Sequence, residues 1–554
     1  MNIKQKPIIP IVKWLWAVAA GNRLQTLLNA VIGIASVAMS LISVHVVKNA
    51  IDIASHAIDG DIYTAIAWMG AVIIIDFALS ISGIYVRNIL GVKAQNRMQQ
   101  KMLERVLRSE WNSRKAMHSG DIVNRLEGDV NVVVGFLTET MPGALSTALL
   151  FIGAFCYLYS MDSTLALITV AVVPLCVVMS KFYVKKMRRL NRQVRDSDSK
   201  IQSVMQEIVQ HTMLIRTLEG DQPMIGRLTE SHRQLRQNIV SRTLFSVLSN
   251  LTLNLGFALS YLLTFAWSAI RLSQGSLSFG GMTAFLQLVS RIQGPARSLA
   301  KLLPQSVAVI TAAERLMELE DIPEEEEGNP LFVQPPCCLN LKNVSFRYDD
   351  NSPWVLKDFS YTFRPGTATA VMGETGAGKT TLIRMLLALT KPQKGSVTIA
   401  SGTDPQKEET LTHLHRCNFV YVPQGNTLMS GTIRENLLLA KPDATDDEMR
   451  QALHTSCADF VLSMPDGLDT PCSEQGGGLS EGQAQRIAIA RALLRDRPVM
   501  LFDEATSALD TETEEQLLRN ILATRKKTIV FITHRKMVCQ FCDNILKVDS
   551  DTAN

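Results

Sequence analysis

The residues best suited to chemistry stand at Gly373-Glu374-Thr375-Gly376-Ala377-Gly378-Lys379-Thr380-Thr381. They spell G-x-x-x-x-G-K-T, the phosphate-binding P-loop. An apolar run, Ala368 to Met372, reads as a buried strand before it, and Thr381 to Leu389 reads as a helix after it. Glycines let backbone N–H groups turn inward around phosphate oxygens, and the following helix offers its positive end to them. Lys379 adds a point charge at the β- and γ-phosphates, and the Thr380 hydroxyl suits Mg2+. The segment therefore implies a nucleoside triphosphate.

Three more apolar runs end in residues that would complete such a site. Val420-Tyr421-Val422-Pro423-Gln424 ends at a carboxamide that can reach Mg2+ or an attacking water. Val499 to Phe502 leads into Asp503, suited to the Mg2+ shell, and Glu504, suited to orienting or deprotonating water. Thr528 to Thr533 ends at His534, placed to touch the γ-phosphate. Four strands ending in these groups predict one phosphoryl-transfer site at the carboxyl edge of a sheet. Leu339–Tyr348 alternates like a strand, and Tyr348 is either a platform for a purine or a half-buried strand aromatic.

The rest of the chain is of another kind. At 554 residues it is too long for one domain, and its apolar residues, 47% overall, concentrate before about residue 300. Mean hydropathy is +0.11. A net charge of +4 argues for no nucleic-acid partner, and nine scattered cysteines form no disulfide framework. Cys539 and Cys542 have redox-like spacing, but Val538 and Phe541 beside them favour a packed helix face.

Ile11 to Ala20, with Trp14 and Trp16, reads as a helix lying on a membrane surface rather than a signal peptide, because Lys13 breaks its apolar run. Six segments then approach the twenty or so apolar residues a bilayer requires. They are Leu24–Val47, Thr64–Val86, Met141–Ser160, Ser163–Ser180, Phe245–Ile270 and Met282–Leu303. Lys and Arg crowd the connections after the second and fourth, and the opposite loops hold none. The basic sides, both termini and the phosphate-binding part are thus expected in the cytoplasm. The basic connections keep helical periodicity, so long helices should project from the membrane and break near Met117–Asp121 and Leu218–Asp221.

Asp76, deep in the second span, is either part of a transport cavity with Arg291 and Gln287 or one half of a structural polar pair. A Glu- and Leu-rich helix is expected to end near Asp321, followed by a solvated linker holding Glu324 to Glu327. The expected division is a membrane domain over 1–321, a linker over 322–336 and a nucleotide-binding domain over 337–554. In class terms this is an all-α six-helix transmembrane domain followed by an α/β P-loop NTPase domain.

Leu479-Ser480-Glu481-Gly482-Gln483, before a helix through Leu494, has no place among the strand ends. With it the chain resembles ATP-binding cassette (ABC) transporters, in which the signature L-S-G-G-Q caps nucleotide held by a second cassette. Ser480, Gly482 and Gln483 match, and Glu481 stands in place of the first glycine. Tyr348, Gln424, Glu504 and His534 look like the A-loop, Q-loop, catalytic carboxylate and H-loop. Ser507–Asp510 looks like the D-loop, Ser430–Asn436 like the exporter segment after the Q-loop, and Glu474 falls where the X-loop acid would. Family members usually continue well past the strand equivalent to Ile545–Val548, whereas this sequence stops at Asn554, so no packing role is assigned to a terminal helix.

The resemblance implies an exporter-type half-transporter of the cell membrane, with ATP and Mg2+ as cofactors. It further implies domain-swapped helices, coupling helices at the polar turns, and alternating access driven by two sandwiched ATP. A homodimer is the preferred assembly, because every catalytic position is filled; a heterodimer stays open. The substrate class implied is a lipid, peptide or amphipathic small molecule. Uptake by the same fold, and an ATP-gated regulatory or channel protein, remain as alternatives.

Overall fold

The structure, a computed structural model, describes residues 8–111, 117, 119–349, 352–374, 376–472, 478–523 and 527–548. Thr375, Glu474 and His118 lie outside the described residues. The chain divides into two compact units. One holds the described residues before 107 and those from 119 to 321; the other holds 107–111, 117 and everything from 322 onward.

The first unit is helical throughout. After Ile8–Ala19 come Arg23–Ala54, Ile62–Arg108, a run of abutting segments from Ser119–Asn124 to Met141–Met161, Ser163–Gln210, Thr212–Thr217, Asp221–Ser273 and Phe279–Glu320. Side-chain oxygens start three of these helices. Asp61 accepts from Tyr63 N and Thr64 N, Asp162 from Thr164 N and Leu165 N, and Ser278 from Gly281 N. The polar turn expected at Leu218–Asp221 breaks the helix there, with Glu219 in the left-handed region at φ 51°. At 1.5 Å per residue, the 47 residues of Ile62–Arg108 extend about 70 Å, against a hydrocarbon core of about 30 Å. The basic connection is thus the helix continued, as its periodicity requires.

Among the described residues four helical stretches are long and apolar enough to cross a membrane: Thr26–Ala54, Ile62–Arg108, Gly120–Met161 and Asn254–Ser273. In Ile62–Arg108 only 6% of the most apolar window is buried, with Ile73, Ile74, Ile75 and Phe77 all exposed. Such a surface requires lipid or another protein around it. Val44, Leu158, Leu165, Phe285, Leu288 and Ile292 form the buried core that joins the helices. Away from it, Arg125 is buried in a charged knot. It donates to Asp121 at 2.8 Å, Glu318 at 2.8 Å and the Arg315 carbonyl at 2.6 Å, while Arg315 donates to Asp121 at 2.6 Å. Asp121 thus bridges two guanidinium groups, and the buried Arg125 charge is kept paired.

The second unit is built on strands. β1 (Cys337–Phe346), β2 (Leu356–Phe363), β4 (Lys394–Ser401) and β5 (Asp404–Thr410) form an antiparallel sheet in the order β2-β1-β4-β5. β3 (Ala368–Met372), β6 (Phe419–Val422), β9 (Val499–Asp503), β10 (Thr528–Ile532) and β11 (Asn544–Lys547) form a parallel sheet in the order β11-β3-β10-β9-β6. β7 (Gly431–Thr432) pairs with β8 (Pro471–Cys472) beside a helical lobe. Every residue of β9 and β10 is buried, which is why these strands read as unbroken apolar runs. Leu339, Phe363, Leu382, Leu386 and Leu501 belong to one core between the two sheets and the helix Lys379–Leu386.

The acidic stretch after Asp321 is exposed from Glu324 to Pro330 except at Glu325, which is held. Arg416 holds the Glu325 carboxylate through two bonds of 2.7 and 2.6 Å, and Glu325 N donates to the Arg108 carbonyl at 2.9 Å. His413 meets the Glu326 carbonyl at 2.6 Å. This bidentate pair fixes one carboxylate of the acidic run to an arginine far away in sequence. β1, in turn, ends at Phe346, so Tyr348 lies in the loop after it and not on the strand.

Cys539 and Cys542 behave as packed residues. Cys539 Sγ lies 3.1 Å from Met372 Sδ, and burial pushes the Cys542 thiol up to about 12. An ion pair ties the helix Thr511–Leu522 to the residue after His534: Arg535, itself partly exposed, donates to Glu514 at 2.6 Å, and Glu514 is 1% exposed. The substitution Arg535→Met leaves that carboxylate buried without its charge partner. Denaturant unfolding should show a loss of about 3 kcal/mol in this unit; an unchanged midpoint would contradict the pairing.

Candidate functional site

The parallel sheet positions the chemistry. Asp503 pairs in register with Ile532, and Ile532 with Val371, so β9, β10 and β3 end at one level. Beyond those ends lie Glu504, Thr533-His534 and Gly373, and β6 adds Gln424 on the far side of β9. Residues from four separate stretches of sequence are thereby brought to one edge, as the sequence predicts.

The P-loop turn depends on backbone that only glycine adopts freely. Gly376 and Gly378 have φ of 91° and 96°. A Cβ at Gly378 would also come within 3.1 Å of the Val355 carbonyl. Lys379 begins the helix rather than preceding it, and the helix ends at Leu386, short of the expected Leu389. Its ammonium donates to the Gly373 and Glu374 carbonyls at 2.7 and 2.9 Å, with the residue only 8% exposed. The charge is thus held directly over the turn. Thr380 is exposed, whereas Thr381 is buried.

Glu504 is joined to both neighbouring strand ends. Gln424 Nε2 donates to one carboxylate oxygen at 2.8 Å, and His534 Nε2 lies 3.1 Å from the other. The Glu504 backbone is left-handed, with φ 48°, and its N–H donates to the Ile532 carbonyl at 3.0 Å. Such strain persists only where the surroundings fix it, and it aims this side chain away from the buried sheet. Asp503 is buried, and burial raises its carboxyl above the ordinary range. The Tyr421 hydroxyl, 3.2 Å away, and the positive charge of Lys379 pull in the opposite direction.

Asp503 offers a carboxylate, Thr380 a hydroxyl, and Gln424 a carbonyl oxygen, since its amide nitrogen already serves Glu504. This all-oxygen set fits a small hard cation such as Mg2+. Tyr348 stands edge-on to Phe346, with ring centroids 5.1 Å apart, and its hydroxyl meets Thr381 at 2.8 Å. The aromatic ring is therefore tied to the helix that opens at Lys379.

Ser480 begins the helix Glu481–Arg495 with a capping box: its hydroxyl accepts from Gln483 N, and Gln483 Oε1 accepts from Ser480 N at 2.9 Å. Glu481 takes an exposed place in the first turn, where an acid complements the helix dipole. The glycine that is retained, Gly482, is needed. A Cβ there would lie 2.8 Å from the Ala508 carbonyl, so Gly482→Ala must displace the Ser507–Asp510 loop. ATP hydrolysis should fall at least tenfold in that variant while nucleotide binding to the P-loop stays within twofold; unchanged hydrolysis would count against this contact.

Three further residues had no individual signal in the sequence. Tyr421 reaches Asp503 across neighbouring strands, and Arg384 donates to the Tyr348 hydroxyl at 3.1 Å. Gln485, 1% exposed, bridges the signature helix to Ser507 and Ala508 at 3.4 and 3.3 Å. Each could be found only once the sheet had placed its partner.

In the membrane unit, Asp76 and Arg291 are not hydrogen-bonded to one another among the described residues. Ser36 donates to Asp76 at 3.3 Å, and Arg291 donates to Ser43 at 3.1 Å. The two serines stand seven residues apart on Arg23–Ala54, two turns of one face. Asp76 and Arg291 thus meet the same helix at two levels, and Gln287 lies one turn before Arg291 on its helix.

Residues 23–296 match the family model of the ABC transporter transmembrane region, and residues 356–507 match that of the ABC transporter. The ATP-dependent lipid A-core flippase of Chromohalobacter salexigens is 31% identical, with 78% of this chain and 75% of that protein covered. A protein of Sinorhizobium fredii described as an uncharacterised ABC transporter ATP-binding protein is 30% identical, over 85% of this chain and 82% of its own length. A solved bacterial Atm1-family ABC exporter with ATP bound shares the fold. Its TM-score is 0.75 at 23% identity, covering 96% of this chain and 94% of that one. A helical membrane region and an α/β nucleotide-binding domain in one chain, with these relatives, place it plainly: the protein belongs to the ABC transporters and is an ATPase that drives transport across a membrane.

Proposed function

We propose that two copies of this chain form a homodimeric exporter or flippase of an amphipathic molecule, with lipid as the leading substrate class. The observation that carries the reading is the line of Lys379, His534, Glu504 and Gln424 along one sheet edge, with Ser480 at the start of a separate helix in the same chain. A complete set in each copy suits two equivalent sites, each capped by the other copy's signature. Several relatives similar over most of this chain are named lipid A-core flippases, which favours outward movement of a lipid over uptake.

In this reading Lys379, the P-loop N–H groups and Thr381 bind phosphates, and Tyr348 supports the base. Thr380, Gln424 and Asp503 hold Mg2+, which supplies charge neutralisation at the phosphates. Glu504 accepts a proton from water or orients it, Gln424 fixes that carboxylate, and His534 recognises the γ-phosphate. Six spans, with both termini and the nucleotide-binding unit on the cytoplasmic side, agree with the Lys and Arg distribution. Asp76, Gln287 and Arg291 line the path of the substrate.

Reconstitution tests this. Chain purified alone should move a headgroup-labelled lipid between leaflets of proteoliposomes when ATP is added, and Asp76→Asn should slow movement severalfold. Absence of movement from an ATP-hydrolysing preparation would exclude the flippase reading.

A further inference from the structure

We infer that a polar groove inside the membrane unit is a headgroup site for a zwitterionic amphiphile, a specificity that rests on the transport reading above. The groove, about 360 Å³, lies between Arg23–Ala54, Ile62–Arg108 and residues 139–150. Gly33, Gly83 and Gly143, one from each wall, line it together with polar groups that include Ser36, Ser80, Ser146 and Thr147. Its two charged residues are Arg87 and Glu139.

Those two charges set the ligand class. Among the described residues neither side chain forms a hydrogen bond or an ion pair. Arg87 is half-buried; Glu139 is exposed and lies in the π-helical turn Phe136–Thr140, a widening of the helix of the kind found at functional sites. Half-buried and unpaired, Arg87 carries a desolvation cost that a bound anion removes, while Glu139, open on the rim of the same groove, is free to meet a cation. A ligand with one charge would satisfy one residue and leave the other bare. A head with both charges satisfies both, its anionic group at Arg87 and its cationic group at Glu139, with hydroxyls of Ser146 and Thr147 nearby.

The size agrees. About 360 Å³ holds a phosphocholine-sized head but not its chains. The chains have exposed apolar surface to follow at Ile81, Ile84 and Tyr85 on Ile62–Arg108. Ser36 lines the groove and donates to Asp76, so the site is continuous with the proposed substrate path.

The test uses the full chain in detergent and three twelve-carbon probes below their micelle concentrations. These are dodecylphosphocholine, dodecyl phosphate and dodecyltrimethylammonium, with affinity read by calorimetry. Wild type should bind the zwitterion most tightly. Arg87→Ala should shift preference toward the cationic probe and Glu139→Ala toward the anionic probe, each by about tenfold. Arg87→Lys and Glu139→Asp should keep the zwitterion first, which separates recognition from misfolding. Absence of preference in wild type, or equal shifts for all three probes in both alanine variants, would overturn the inference. So would a loss of dimer in both with unchanged selectivity, marking the groove as a contact between copies. Lipid movement measured in parallel distinguishes the two readings: transport that persists without probe selectivity defeats only the headgroup site.

Discussion

Glu504→Gln should lower ATP hydrolysis by about 10²- to 10³-fold while leaving MgATP affinity within a few-fold of wild type. The substitution is nearly isosteric and keeps an oxygen for Gln424, which donates to this side chain at 2.8 Å. It removes the group that can take a proton from water. The left-handed backbone at 504, with its N–H bonded to Ile532, holds the replacement in the same place, so the loss is chemical rather than structural. Steady-state hydrolysis and a nucleotide-binding titration, made side by side, check this. Hydrolysis near wild type would remove Glu504 from its assigned part.

The second large effect is on binding. Lys379→Ala should weaken ATP affinity by about 10- to 100-fold, the worth of a charge-assisted contact at a shielded site. Lys379 is 8% exposed and its ammonium is held by two loop carbonyls, so phosphate meets a positioned charge and little entropy is lost in ordering it. An ATP titration that superimposes on wild type would contradict the role. Folding should survive, since the loop itself is set by Gly376 and Gly378 and by Val371 buried in the sheet.

Much of this site was legible because it is written in short segments. A buried parallel strand is an apolar run, and the residues after it must leave the sheet at the carboxyl edge. P-loop, Gln424, Asp503-Glu504 and His534 could therefore be read as neighbours. The signature helix was also legible, since Ser480 and Gln483 form a cap within four residues. The contacts that escaped reading depend on partners distant in sequence. Arg416 binds Glu325 across 91 residues and fixes one carboxylate of an otherwise exposed acidic run; Tyr421 reaches Asp503 across 82. In the membrane unit the second span was plain from hydropathy. Which face Asp76 presents was not, because helical position alone does not say that Ser36 donates to it while Arg291 donates to Ser43 and meets Asp76 through charge alone.

The central claim is that two copies share the work. Wild-type chain and Glu504→Gln, mixed before reconstitution in lipid bilayers at constant total protein, test it most directly through ATP hydrolysis. If each site needs both copies and the two sites depend on one another, activity falls below the straight line joining the pure samples, toward the square of the wild-type fraction. A straight line would mean that one intact site turns over whatever the state of the other, and the claim that the two copies work together would be wrong.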